Sequence, residues 1–291
     1  MKKKKVLLDT DIGTDIDDAI CLAYLLAQPE CDLMGITTVT GEPKKRAMMA
    51  SLICKAAGKN VPIFPGAEKP LIVPQLQTKA QQAKIIKNWE HKKDFTSGKA
   101  VEFLRNTIRK NPGEISLLTI GPLTNIALLF RIDPEIPLLL NELVMMTGSF
   151  YRSTGFREWN AFGDPHATAI VYKSPVKLHR SVPLDVTNQV KMSADELNKR
   201  FTTDLLKPVK KFADVYFQYK KQKRTSFHDP LAAATIFEKD ICDYKNGEIE
   251  VELINEKTMG ATYLNLDEKG PHEVALEVDS QRFFKHFFSV F

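Results

Sequence analysis

The sequence predicts an α/β fold, a doubly wound and mostly parallel sheet flanked by helices. Three observations point to it. Apolar, β-branched runs alternate with helical stretches along the chain. The 291 residues, 43% of them hydrophobic, suffice for a large core and suit one domain spanning 1–291. Acidic residues gather directly after the first apolar run, at a strand's carboxyl end, where open α/β sheets place their sites.

Val6-Leu7-Leu8 is the first strand, and it runs into Asp9-Thr10-Asp11-Ile12-Gly13-Thr14-Asp15-Ile16-Asp17-Asp18, ten residues carrying five carboxylates. Gly13 permits a tight turn. Asp17 and Asp18 fall in the first turn of an apolar helix continuing through Leu26, where the helix dipole favours negative charge. Leu33 to Val39 is a second strand, closed by Thr40-Gly41-Glu42. Pro43 opens a helix that ends near Ala57 and is stopped by Gly58, and Pro62-Ile63-Phe64 is a short third strand.

From Glu68 to Ser97 the periodicity weakens into a long polar connection, of the kind that often carries function. Trp89 and His91 within it read as packing and surface residues. A helix over Lys99 to Lys110 and a strand over Ile115 to Ile120 follow, then the turn Gly121-Pro122-Leu123-Thr124-Asn125 and a short helix to Phe130. Leu143 to Met146 is the next strand. The segment Ser149 to Gly163 reads as irregular, and Asp164-Pro165 starts a helix. Val176 to Ser181 is a strand, and helices are expected over Ser193 to Arg200 and Leu205 to Lys223. His228 and Asp229 then stand at the start of the buried helix Leu231 to Phe237. Alternating segments at Ile249 to Ile254, Thr262 to Leu266 and Val274 to Val278 precede an aromatic helix from Ser280.

The net charge is only +5, and no nucleic-acid motif accompanies the basic stretches Lys79 to Lys99 and Lys207 to Arg224, which read as solvated helix faces. No run of about eighteen apolar residues exists for a membrane span, and only three apolar residues follow the basic start before Asp9. Cys21, Cys31, Cys54 and Cys242 form no C-x-x-C pair and read as reduced, buried thiols. A cytoplasmic protein with no nucleic-acid or membrane partner is expected.

The aspartates repel one another unless protons or a cation sit among them, and a hard, oxygen-preferring ion such as Ca²⁺ or Mg²⁺ suits them. Helix capping accounts for one or two such acids, not five. Asp9-Thr10-Asp11-Ile12-Gly13-Thr14 also resembles the opening motif of haloacid-dehalogenase-type phosphatases. Taken with the turn after Ile120, Glu158-Trp159-Asn160 and His228-Asp229-Pro230, however, the chain resembles the inosine-uridine-preferring nucleoside hydrolase family almost end to end. The resemblance implies a nucleoside-hydrolase-like sheet with one Ca²⁺ at the strand ends. Asp11, Asp18, Asp229 and the carbonyl of Ile120 would be its ligands. It further implies Asp11 as general base, His228 as proton donor to the leaving base, and Asp17, Asp229 and Asn160 on the ribose hydroxyls. Glu158 would reach the 5′ side, with Trp159 among the substrate-binding groups, and Asp9 and Asp185 would lend support from behind. The implied reaction is hydrolysis of the N-glycosidic bond of a ribonucleoside by a homodimer or homotetramer.

The match departs from the family in four places. Glu42 and Arg152 stand where asparagines are common, the long connection lacks a His-Gly pair, and aligning Asp17-Asp18 leaves two extra residues around Asp15. Glu42 and Arg152 are therefore expected as a charged pair near the sugar. A second reading has Arg152 or Arg157 meeting a 5′-phosphate, and a third has a ribosyl-ligand binder without turnover.

Overall fold

A strand covered by helices on both faces needs no polar alternation, and the first strand shows why. In β1 (Lys4–Thr10) Val6 and Leu8 enter one apolar core and Leu7 the other. The computed structural model describes residues 3–150 and 156–291.

From β1 the chain passes through α1 (Asp17–Ala27), β2 (Cys31–Thr38), α2 (Pro43–Ala56), β3 (Ile63–Pro65), a 3₁₀ helix (Gln81–Asn88) and α3 (Ala100–Lys110) to β4 (Ile115–Thr119). Next come α4 (Thr124–Ile132), α5 (Ile136–Leu139), β5 (Glu142–Met145), α6 (Trp159–Gly163), α7 (Pro165–Tyr172) and β6 (His179–Ser181). Then follow α8 (Leu184–Thr187), β7 (Lys191–Ser193), α9 (Ala194–Arg200), α10 (Leu206–Lys220), β8 (Arg224–Ser226) and α11 (His228–Phe237). A 3₁₀ turn (Lys239–Ile241), β9 (Cys242–Val251), β10 (Thr262–Leu266), β11 (His272–Val278) and α12 (Ser280–Phe288) close the chain.

Among the described residues nine strands form one sheet in the order β10-β9-β11-β6-β5-β4-β1-β2-β3. It is parallel from β3 to β11, while β9 and β10 run antiparallel at one edge. β2 and β3 add outward on one side of β1, and β4 returns to its other side. The connections leaving β1 and β4 therefore diverge, which opens a crevice at their carboxyl ends. Helix α1 is buried on nearly all sides, and its buried residues include both aspartates of its first turn.

Several expectations need correction. The polar connection is not wholly irregular, since the 3₁₀ helix lies within it, and α6 ends the irregular segment before Asp164. β9 starts at Cys242 and stops at Val251, earlier at both ends than the expected Ile249 to Ile254. Its exposed Asp243, Asn246 and Glu248 face water, which an antiparallel edge allows, so it does not read as an apolar run. β6 is only three residues long, because a turn at Ser174 to Val176 precedes it. Lys221 adopts a left-handed conformation that ends α10, and the three-residue strands β7 and β8 pair into a ribbon too short to leave a periodic signal.

One buried side chain ties the strand ends together. The Asn125 amide nitrogen donates to Asp9 Oδ1 at 2.7 Å and to the Thr38 carbonyl at 3.2 Å, while its oxygen accepts from Ala67 N at 2.8 Å. Asn125→Ala strands these buried groups. Urea unfolding should show a loss of about 2–4 kcal/mol; a loss below about 0.5 kcal/mol would contradict this role.

Candidate active site

The aspartate loop leaves β1 and turns at Gly13, whose φ of +124° suits glycine; a Cβ there would stand 2.9 Å from Ala80 Cβ and Met49 Sδ. Gly121, in the turn after β4, is pressed against the same loop. A Cβ on it would meet Asp11 N and Asp11 Oδ1, each at 2.9 Å. Asp11 thus lies directly against the Ile120-Gly121 turn.

Carboxylate oxygens of Asp17, Asp18 and Asp229 lie within 4.8 Å of one another, all three residues buried, in an arrangement able to hold a metal ion. Two of these acids open α1 and the third opens α11, so two helix N-termini converge on them. Asp229 N donates to Asp17 Oδ2 at 3.4 Å and Thr10 Oγ1 to Asp18 Oδ1 at 2.5 Å. Asp11, expected beside them as a ligand, stands outside this closest trio: its Oδ2 accepts from Gln77 Nε2 at 3.1 Å.

Burial sets the electrostatics, with neighbouring charge adding to it. Burial pushes Asp11 up to about 6, a rise that Arg46 opposes and Asp15 reinforces. Burial and Asp15 push Asp17 up to about 8. Asp18 is raised by burial, then by Asp11 and Asp17, and Asp229 by burial, then by Asp17 and Asp18. Among the described residues no lysine or arginine forms an ion pair with any of these four. Carboxylate oxygens in that state fit a hard cation.

Other expected residues gather nearby. The Ile120 carbonyl accepts from Asn160 Nδ2 at 3.2 Å, and Met146 O accepts from the same nitrogen at 2.9 Å. His228 Nδ1 meets Thr187 Oγ1 at 2.6 Å. Glu158, expected at a sugar's 5′ side, accepts from the backbone N–H groups of Asn160, Ala161 and Gly148 at 2.8–3.1 Å; burial lifts it to about 7. Trp159 is 41% exposed and lies edge-on to Phe162. Glu42 spends one oxygen on Lys45 and the other on Ala80 N, and it lines a cavity of about 1010 Å³ whose lining includes none of the four acids. Arg152 lies outside the described residues, so its pairing with Glu42 stays an expectation. Arg157 lies 3.9 Å over the Phe162 ring. Behind the site, Asp9 Oδ1 accepts from Thr37 Oγ1 and Asn125, and Asp185 Oδ2 accepts from Phe150 N at 2.7 Å.

A family model for inosine-uridine preferring nucleoside hydrolases matches residues 6–285. The chain belongs to this family. It is 31% identical to non-specific ribonucleoside hydrolase RihC of Escherichia fergusonii, covering 96% of this chain and 95% of that one. It is also 31% identical to probable uridine nucleosidase 2 of Arabidopsis thaliana, covering 86% and 82%. The purine-preferring ribonucleoside hydrolase of Gardnerella vaginalis shares the fold, with a TM-score of 0.84 at 23% identity over 99% and 98%. Family membership decides between the two likenesses of the opening motif, in favour of the nucleoside hydrolase over the phosphatase.

Two residues of this nucleoside hydrolase escaped the sequence. Arg46 is fully buried: Nε donates to Gly41 O at 2.8 Å, and Nη1 to the carbonyls of Asp11 and Ile12. Its only signal is position, one and two turns before the buried Ala50 and Ile53 of α2. Gln77, within the unpatterned connection, left no signal. Since the Gly121 contact is with Asp11 backbone as well as side chain, Gly121→Ala must displace the loop. Steady-state kinetics on a nucleoside should show kcat/KM lower by about a hundredfold, and unchanged kcat/KM would contradict the tight contact.

Proposed function

We propose that one Ca²⁺ binds at the acid cluster, held by Asp11, Asp18, Asp229 and the carbonyl of Ile120, and that the reaction depends on it. The supporting observation is the buried trio Asp17, Asp18 and Asp229 with the buried Asp11 in the same loop, none of them ion-paired to a lysine or arginine among the described residues. The enzyme hydrolyses the N-glycosidic bond of ribonucleosides. When bound, Ca²⁺ supplies Lewis acidity to a water and oxygen coordination to the ribose diol.

The protein's own groups do the rest. Asp11 takes a proton from the attacking water as general base. Cleavage passes through an oxocarbenium-like ribosyl cation, which the surrounding carboxylates stabilise more strongly than they do the neutral substrate. Asp17, Asp229 and Asn160 hydrogen-bond the 2′- and 3′-hydroxyls, and Glu158 holds the Asn160 backbone in register for that task. His228, its ring braced by Thr187, gives a proton to the departing base, and the exposed Trp159 offers an apolar face to the ligand. Arg157 is stacked on Phe162, and we take the unphosphorylated nucleoside rather than a 5′-phosphate as the substrate. The four free, buried cysteines accord with a reducing compartment, and we place the enzyme in the cytoplasm as a homo-oligomer.

Release of base from inosine, uridine and their 5′-monophosphates tests this reading. Nucleosides should be cleaved, chelator should abolish turnover, and added Ca²⁺ should restore it. Asp11→Asn should lower kcat about 10²–10⁴-fold with substrate still bound. Turnover indifferent to chelator, or preference for the monophosphates, would overturn it.

A further inference from the structure

We propose that the Thr14-Asp15 stretch of the aspartate loop is a clasp that fastens the 77–82 segment across that loop, and that Gln77, carried on that segment, is a positioning residue for the Asp11 carboxylate. The second part rests on Asp11 being the general base.

Contacts between the two segments are dense and specific. Gln82 N donates to the Gly13 carbonyl at 3.0 Å, and its side-chain amide donates to the carbonyls of Thr14 and Asp15 at 3.0 and 2.9 Å. Thr14 Oγ1 accepts from Gln77 Nε2 and also from both terminal nitrogens of Arg46, at 3.3 and 3.4 Å. Arg46 Nη2 reaches the Lys79 carbonyl at 3.5 Å, and Ala80 packs where a Cβ on Gly13 would stand. Thr14 is the point where the buried arginine and the crossing segment meet. The outer end is held more loosely, by the half-exposed pair Asp15–Lys220 at 3.0 Å.

Gln77 Nε2 carries two hydrogens, and each has an acceptor: Thr14 Oγ1 and Asp11 Oδ2. A neutral amide fixes a carboxylate oxygen without cancelling the charge that a base needs, which an arginine or lysine in its place would do. With Oδ2 held, Asp11 Oδ1 is the oxygen left against the Gly121 turn. Gln77 is 8% exposed, so the bond is shielded from competing water.

The test compares steady-state kinetics on inosine and uridine with amide hydrogen exchange. Gln77→Ala should lower kcat about ten- to a hundredfold, with KM within about threefold. Gln77→Glu, of the same shape but without the donor hydrogens, should lose at least as much. Thr14→Val should lower kcat and speed exchange across the 77–88 segment, whereas Thr14→Ser, which keeps the hydroxyl, should restore both. Wild-type kcat in both Gln77 variants, or a loss confined to KM, overturns the positioning role; exchange unchanged in Thr14→Val overturns the clasp. If the wild-type chain itself releases no base, the hydrolase reading fails instead, and the exchange of Thr14→Val against Thr14→Ser alone decides the clasp.

Discussion

The burial of Asp11, Asp17, Asp18 and Asp229, with the mutual repulsion that adds to its cost, is the constraint around which the rest of the site is arranged. Two unit charges 4 Å apart repel by about 4 kcal/mol at an effective dielectric constant of 20, and burial adds a desolvation cost to each. Against this the fold sets the dipoles of α1 and α11, the Thr10 hydroxyl and the charge of Arg46. None of these neutralises the cluster. Under the proposed mechanism, that charge would receive a cation and stabilise a ribosyl cation. It is also a local cost in stability that the two apolar cores must offset.

The sheet makes that concentration of charge possible. Because β1 lies between β4 and β2, its carboxyl end meets the turns after both neighbours, and three distant stretches of chain converge there. Gly121 lets the β4 turn touch Asp11, and Asn125 ties Asp9 to the ends of β2 and β3. The acids therefore sit at helix starts and on a loop tied to its neighbours, which limits how far they can move apart to relieve the repulsion. The α11 acid comes from much later in the chain, and its place beside Asp17 follows from α1 packing directly on α11.

Much of this was legible because it is local in sequence. Five aspartates in ten residues, a glycine among them and an apolar helix behind them announce a charged turn at a strand end without knowledge of the fold. The parallel sheet was legible for the same reason, since buried strands are uninterrupted apolar runs. What was not legible acts across distance. Arg46 reaches the aspartate loop from 35 residues away and Gln77 from 66, and neither sits in a pattern that singles it out. Glu158 was visible as an acid among polar and aromatic neighbours, but the cap that its oxygens form on a helix was not. The antiparallel edge was half visible, because one water-facing side dilutes its apolar pattern.

Thermal unfolding of the wild-type chain and Asp18→Asn, each with chelator and with Ca²⁺, measures the central repulsion most directly. Asparagine keeps an acceptor for Thr10 while removing one negative charge. If repulsion among the buried acids governs the site, the wild-type chain melts higher with Ca²⁺ than with chelator. The variant should then melt above wild type in chelator and lose most of the gain from Ca²⁺. A wild-type Tm indifferent to Ca²⁺, together with a variant that melts lower under both conditions, would contradict the account.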